Sequence, residues 1–421
     1  MSTPTTSPMR ATRSSALRTG RAGRKLRRGY VTLFSIMLIV IGIVTLMLVV
    51  NWTYLVLVSR RTLQLTDNLA LTSVSRLLDE AVLRDTYNFP ATQADDLTEA
   101  NNDVKVGGTS FLALNNAAAG PSLRPLPSQV NVIGARIENA AAPVGPSNYT
   151  TMPGNNQPYN TLVVEVFRGG ELSSPNPVKT ILRGFGAPEQ AQITSSSYAT
   201  LDSRVVGFRP TLTVNAPLAP LAVDADAWFV QRPKGALDDS IKDFRIEFDF
   251  TLLNTAGAGT ATCALVGLND DAPLTASALA GQVTDGIGPT DVNTSGQFGP
   301  LVLAQPLRVN ATQTSPSMDV AETIAAAFNT VAASNNPRRA FPVYTGAYAD
   351  RLEIVGFVGA RILSADAALF ASNPRLRVRL QPAFIVHSTV ETQFQFPVPI
   401  IPDPNPTVPE NLYIHKIRLT R

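Results

Sequence analysis

Hydrophobic and polar positions divide the chain into three textures. Residues 31–50 are almost wholly apolar, and no charged residue occurs between positions 29 and 59. A helix of about 20 such residues crosses a hydrocarbon layer about 30 Å thick. From 59 to 84 the apolar positions thin to a three-to-four spacing, Leu63, Ala70, Val74, Leu77 and Ala81 flanked by Leu71 and Leu78, with neither Pro nor Gly in the run. That spacing predicts an amphipathic stem continuing the membrane helix outward, its stripe packed on the chain's own domain or offered to a partner helix.

Beyond Asp85 the helical period gives way to short runs separated by Pro, Gly, Asn, Ser and Thr. In 243–251 and 375–380 apolar and charged residues alternate with period two, the mark of strands with one face buried and one wet. Further strands are expected at 130–137, 162–167, 178–182, 205–214, 261–266, 301–309, 352–362, 384–390 and 412–419. One helix interrupts them: Asp319 caps the run 320–333, Glu322 completes a capping-box pair, and Val320, Ile324, Phe328 and Val331 form its stripe. Six prolines between 396 and 409 mark an extended connector that cannot join a central strand. The expected fold is therefore one N-terminal transmembrane helix extended into a stem, followed by a mainly β, sandwich-like exported domain with at least one helix. The boundaries are a basic tail at 1–29, the span at 30–58, the stem at 59–85 and the β-rich domain at 86–421.

Charge sets the topology. The 421-residue chain carries a formal net charge of +3, but eight basic residues and no acid lie before Gly29, which leaves 27 basic against 32 acidic residues in the rest. Basic residues beside a membrane helix stay in the cytoplasm, so the C-terminal bulk is expected outside, mildly acidic and unsuited to nucleic acid. A cleaved secretory signal would have an apolar core of about 7–15 residues and a small-x-small site. The run here is longer, and residues 50–65 contain no such site. The single cysteine, Cys263, forbids an intrachain disulfide and sits in an apolar run, where it reads as a small buried hydrophobe.

Little in the chain promises chemistry. Only two histidines are present, His387 and His415, each inside an expected strand. No G-x-S-x-G, H-E-x-x-H or G-x-x-x-x-G-K-[ST] pattern occurs. The expectation is a non-enzyme without a cofactor or metal. The one cation hint is Asp291, Asn293 and Ser295 followed by Gly296, but position twelve of that loop is Val302 instead of the bidentate Glu. An Asx-rich turn is the plainer reading.

The N-terminal features fall in a particular order: Arg27-Arg28-Gly29, Val31 and Phe34, then Asn51 and Tyr54, then Leu63-Gln64 and Asp67-x-x-Ala70. This order resembles the N-terminal segment of the TadE/TadG-like proteins of Flp (Tad) pilus assembly, where R-G-x-V-x-x-F, V-D-x-x-x-x-Y and L-Q-x-x-x-D-A-A-A-L-A elements follow one another. Asn51 stands where the family commonly has Asp, and Phe34 where prepilin-type segments carry Glu. Cleavage between Gly29 and Tyr30 is therefore not expected, and the uncleaved TadG-like branch fits better. The adhesive D-x-S-x-S metal site of some TadG-like proteins begins at Asp238 but fails at Lys242. The resemblance implies a single-pass protein of the bacterial inner membrane with an extracytoplasmic C-terminal domain. Such a protein would meet pilin-like or pilus-assembly membrane proteins and assist pilus assembly or anchoring. The runner-up is a membrane-anchored module binding glycan or another envelope ligand.

Overall fold

A computed structural model describes residues 23–78, 89–106, 110–117, 125–140, 144–145, 148–151, 159–169, 177–182, 190–228, 246–249, 263–268, 275–292, 298–299, 307–311, 317–348, 351–370, 373–392 and 411–420. The chain divides into two compact units, residues 1–58 with 179–191 and residues 59–178 with 192–421. Its helices, in chain order, are α1 (Gly23–Ser73), α2 (Phe89–Lys105), α3 (Phe111–Ala117), α4 (Ala276–Asp285) and α5 (Met318–Ala332). The strands are β1 (Val130–Ile137), β2 (Tyr149–Thr150), β3 (Thr161–Arg168), β4 (Val178–Lys179), β5 (Gln190–Ala191), β6 (Ile193–Asp202), β7 (Val205–Phe208), β8 (Leu221–Asp224) and β9 (Ile246–Asp249), then β10 (Cys263–Gly267), β11 (Leu307–Ala311), β12 (Arg338–Tyr348), β13 (Arg351–Phe370), β14 (Asn373–Pro382), β15 (Ile385–Val386), β16 (Val390–Thr392) and β17 (Ile414–Thr420).

The first unit contains the part of α1 that is long and apolar enough to cross a membrane. Its side chains from Val31 to Ile43 are all exposed. Ser35, Thr45 and Thr53 donate their hydroxyls to the carbonyls of Val31, Ile41 and Val49, each at 2.8 Å, so these polar groups are satisfied within the helix.

In the second unit α1 ends earlier than its spacing predicts. The α-helix stops at Ser73, a 3₁₀ turn carries the chain from Val74 to Leu77, and Leu78 leaves helical geometry with φ −101° and ψ 75°. Hydroxyl chemistry accounts for this: Thr72 and Ser73 bond back to carbonyls three and four residues earlier, and Ser75 to the carbonyl of Thr72, competing with the helical ladder. The expected end of the stem, including Ala81, lies outside the described residues.

The second unit holds two large sheets. One has the order β15-β17-β6-β3-β1-β2. The other closes on itself: β8 pairs β10, β10 pairs β11, β11 pairs β13, β13 pairs β12, and β12 returns to β8 as the parallel member. This five-stranded barrel is possible because β13 is 20 residues long and changes partners. Residues 351–354 hold β12 on one edge and β11 on the other. From Ala360 to Phe370 the second edge passes to β14, which in turn pairs β9. Bulges at Val343/Tyr344 and Tyr344/Gly346 in the β12 pairing and at Ile362/Ser364 in the β14 pairing accompany the exchange, as strand irregularities do where a barrel bends.

The unit is mostly β, as expected, and helices pack on both sheets, while Ile385 of β15 and Ile414 of β17 also join the barrel's core. Helix α5 lies on β13 and β14 and contributes Ile324, Phe328 and Val331 to the barrel's apolar core, with α4 beside it. The α5 stripe expected from the sequence is buried except for half-buried Val320. Its start is corrected: the helix begins at Met318 with Ser317 before it, and Asp319 sits in the first turn instead of capping it. A second core forms where Leu69, Ala70, Val74 and Leu77 meet α2 and α3 and the β1-β3-β6 face. The proline-rich connector at 396–409 lies outside the described residues.

Candidate functional site

The residues singled out on the stem do two different jobs. Ala70, Val74 and Leu77 are 0%, 0% and 6% exposed and pack with Ala100 and Val104 of α2 and with Val130, Leu162 and Val164 of the sheet. The stripe is therefore filled by the chain's own domain and is not open to a partner helix, which corrects its assignment as a partner surface; Leu63 is half-buried. One turn earlier the same helix is pinned by polar contacts. Ser197 donates to the Asp67 carboxylate at 2.7 Å, and the hydroxyls of buried Thr66 and Ser195 lie 3.1 Å apart. Ser195 and Ser197 project from one face of β6, so two polar side chains of the sheet meet two of the helix in register.

Within the first unit Asn51 is 6% exposed. Its Nδ2 donates to the Leu182 carbonyl at 2.8 Å, and the Leu182 amide donates to its Oδ1 at 2.9 Å. A carboxamide carries both the donor and the acceptor this exchange needs, whereas an ionised carboxylate only accepts. This gives a physical reason for Asn where the resembled family commonly has Asp. The same two-way clamp recurs in the second unit: Asn329 of α5 binds the N–H and C=O of Ala365, Asn160 those of Ile137, and Asn148 those of Asn139. The other residues of the resemblance are placed plainly. Val31 and Phe34 are 65% and 57% exposed on α1, Gln64 is exposed, Tyr54 is half-buried, and Gly29 lies within α1.

The two histidines, 28 positions apart, are brought side by side by the parallel pairing of β15 with β17, in which the His387 amide donates to the His415 carbonyl at 3.4 Å. His415 is buried against the Phe384 ring, 5.6 Å between centroids. Its Nε2 lies 3.3 Å from the Leu412 carbonyl, while Nδ1 meets no hydrogen-bond partner among the described residues. Burial pushes its pKa down to about 4 against the smaller opposing effects of that carbonyl and Asp202. His387 accepts from the Thr389 amide at 3.3 Å on Nδ1, with the Thr389 hydroxyl 2.8 Å away. Burial, and then the nearby Arg339 charge, hold it below the ordinary histidine value as well.

His387 also lines a cavity of about 280 Å³ with Ser75, Asn336, Arg338, Leu78 and Phe384. Cation, amide, hydroxyl and imidazole converge there, with no carboxylate among the described residues of the wall. His387 is engaged by the amide and hydroxyl of Thr389, and no hydrogen bond joins it to Ser75 among the described residues.

Two charged groups that the sequence reading overlooked organise the ends of elements. Arg339 donates to the Val283 and Thr284 carbonyls at 3.1 and 2.7 Å, closing the C-terminus of α4 where orphan carbonyls accumulate. The Asp202 carboxylate, 1% exposed, holds Arg204 at 3.0 Å and Arg418 at 3.1 Å. Gly286, with φ 80°, follows α4, and a Cβ there would stand 2.4 Å from the Ala216 carbonyl oxygen, so no larger residue fits.

The Asp291 carboxylate accepts the amide of Gly288, three residues back, at 2.7 Å and lies 3.3 Å from Gln282 Nε2. Asn293 and Ser295 lie outside the described residues. Among the described residues no group of three or more His, Cys, Asp or Glu side chains is placed to hold a metal ion. Compared with known proteins, the chain matches no protein-family model, no curated protein and no solved structure.

Proposed function

We propose that this chain is a membrane-anchored, non-enzymatic envelope protein that resembles TadG and assists assembly or anchoring of an Flp/Tad-type pilus from the bacterial inner membrane. Its N-terminus is cytoplasmic and its β-rich domain extracytoplasmic. The observation that carries the reading is the use made of the family-like positions: Asn51, Asp67 and Ala70, which extend the resemblance past simple hydrophobicity, are among the residues by which α1 engages other segments of its units. The mechanism is positional. The span fixes the protein in the membrane, and the stem is packed into the β-rich unit. With the stem stripe occupied, contact with pilin-like proteins falls to the exposed face of the span and the outer surface of the β domain.

Deleting the gene should remove or reduce surface pili, and the wild-type chain should restore them. A version in which residues 1–58 are replaced by a cleavable secretion signal should not. Full restoration by that released domain would refute a positional role.

The cavity at Arg338 and His387 favours a second reading, a ligand-binding module, because its polar groups converge on one small space. Calorimetric titration with short anionic glycans, repeated on Arg338→Ala, separates the two: binding lost in the variant supports this reading, and no binding by the wild type counts against it.

A further inference from the structure

We propose that residues 179–182 form a second membrane contact, seated at the outer edge of the hydrocarbon layer that α1 crosses, with Ile181 turned to lipid. The inference rests on reading α1 as a membrane span.

Depth along α1 is fixed by the sequence. Val44 is the midpoint of the charge-free stretch 29–59, and Asn51 stands seven residues beyond it. At the helical rise this is about 10 Å, or about 16 Å if the helix is centred on the apolar run 31–50. The hydrocarbon half-thickness is about 15 Å. A carboxamide at that boundary finds little water, so its two hydrogen bonds to Leu182 are what satisfy it. Those bonds also place Leu182 at the depth of Asn51.

The neighbours of Leu182 are arranged as a lipid-facing turn requires. The polar side chain of Thr180 is buried, at 5% exposure, while the apolar Ile181 is 54% exposed. On α1 at the same level Trp52 is 72% exposed, the residue type that gathers at membrane-water boundaries. Lys179, two positions before Ile181, is exposed, and its stem is long enough to carry its ammonium outward to the phosphate layer. In water this arrangement would bury a hydroxyl and leave an isoleucine bare; at the edge of the acyl chains both placements are favourable.

The test uses the full-length protein with Cys263→Ala and single cysteines at Val40, Ile181 or Leu212, each carrying a nitroxide, in vesicles of phosphatidylcholine and phosphatidylglycerol. Collision with oxygen and with a water-soluble nickel chelate reports depth. The label at 40 should favour oxygen strongly, and the label at 212 should favour nickel. The label at 181 should favour oxygen at shallower depth, with nickel access several-fold below that at 212. Asn51→Leu, which removes the clamp, should move the 181 label toward nickel. A 181 label as open to nickel as 212, with 40 still oxygen-favouring, overturns the inference. Nickel access at 40 itself overturns the span, and the inference with it.

Discussion

His415 ties the stability of the β domain to pH. Its Nε2 faces the Leu412 carbonyl, which fixes the proton on that nitrogen, and its Nδ1 is buried beside Phe384 with no acceptor among the described residues. Protonating Nδ1 would create a buried cation with an unmade hydrogen bond. The folded pKa of about 4 lies below the unfolded 6.5. Between those values the unfolded chain binds a proton that the folded chain does not, so stability is fully present above pH 6.5 and is lost as the pH falls toward 4. At about 1.4 kcal/mol for each pH unit, the gap is worth about 3 kcal/mol. Carboxylates titrate in part of the same window, so the measurement is a difference. Urea unfolding of the full chain in detergent is compared between the parent and His415→Gln from pH 7.5 to 4. The Trp52→Phe background leaves Trp228 as the only tryptophan. Trp228 is a direct reporter because it is fully buried and its indole N–H donates to the Tyr413 hydroxyl at 3.1 Å, two residues from His415. The parent should lose about 3 kcal/mol more than the variant over this range. Parallel curves would refute the reasoning.

Further perturbations test the joints of the fold. Leu69→Ala, at a fully buried position of the stem, should destabilise the second unit by about 2–5 kcal/mol while leaving membrane insertion unchanged, as read by the same unfolding assay and by membrane fractionation. Asp202→Ala should cost about 3–5 kcal/mol because Arg204 and Arg418 are left without their shared carboxylate, and adding Arg418→Met should recover part of the loss. Asn329→Asp should cost about 1–3 kcal/mol, since the carboxylate cannot donate to the Ala365 carbonyl, with the largest gain in hydrogen exchange at the Ala365 amide.

Where local pattern and burial agree, the sequence was legible. The run 130–137, half of it Val and Ile, forms β1 over that same range, and the stripe of α5 emerges with its apolar face inward. Strand β6 was not legible, because its sequence, Ile-Thr-Ser-Ser-Ser-Tyr, lacks apolar alternation. Its buried serines face Thr66 and Asp67, so the face that enters the interior is polar by complementarity. Pro342 concealed β12. It is tolerated because the parallel pairing is interrupted there, between the bridge Leu218–Ala340 and the pair Val223–Val343. Helix α2 begins Phe-Pro-Ala and carries mostly polar residues, and its inner contact with the second core rests on Leu97, Ala100 and Val104, a short stripe among polar neighbours. At the candidate site, residue identity announced Asn51 and Asp67 through the resemblance but not their partners Leu182 and Ser197, which lie 131 and 130 positions away. The pairing of His387 with His415 was equally hidden, since it depends on β15 and β17 lying side by side.

The most direct test of the anchored, outward-facing arrangement is cysteine accessibility in intact cells. With Cys263, which is buried, changed to alanine, single cysteines are placed at Leu212, 95% exposed on a turn held by Thr211 and Val214, and at Ser14 in the basic tail. A membrane-impermeant maleimide, admitted past the outer layer of the envelope but not through the inner membrane, should label position 212 without lysis and position 14 only after the inner membrane is opened. Labelling of position 14 before lysis, or of position 212 only after it, would contradict the account.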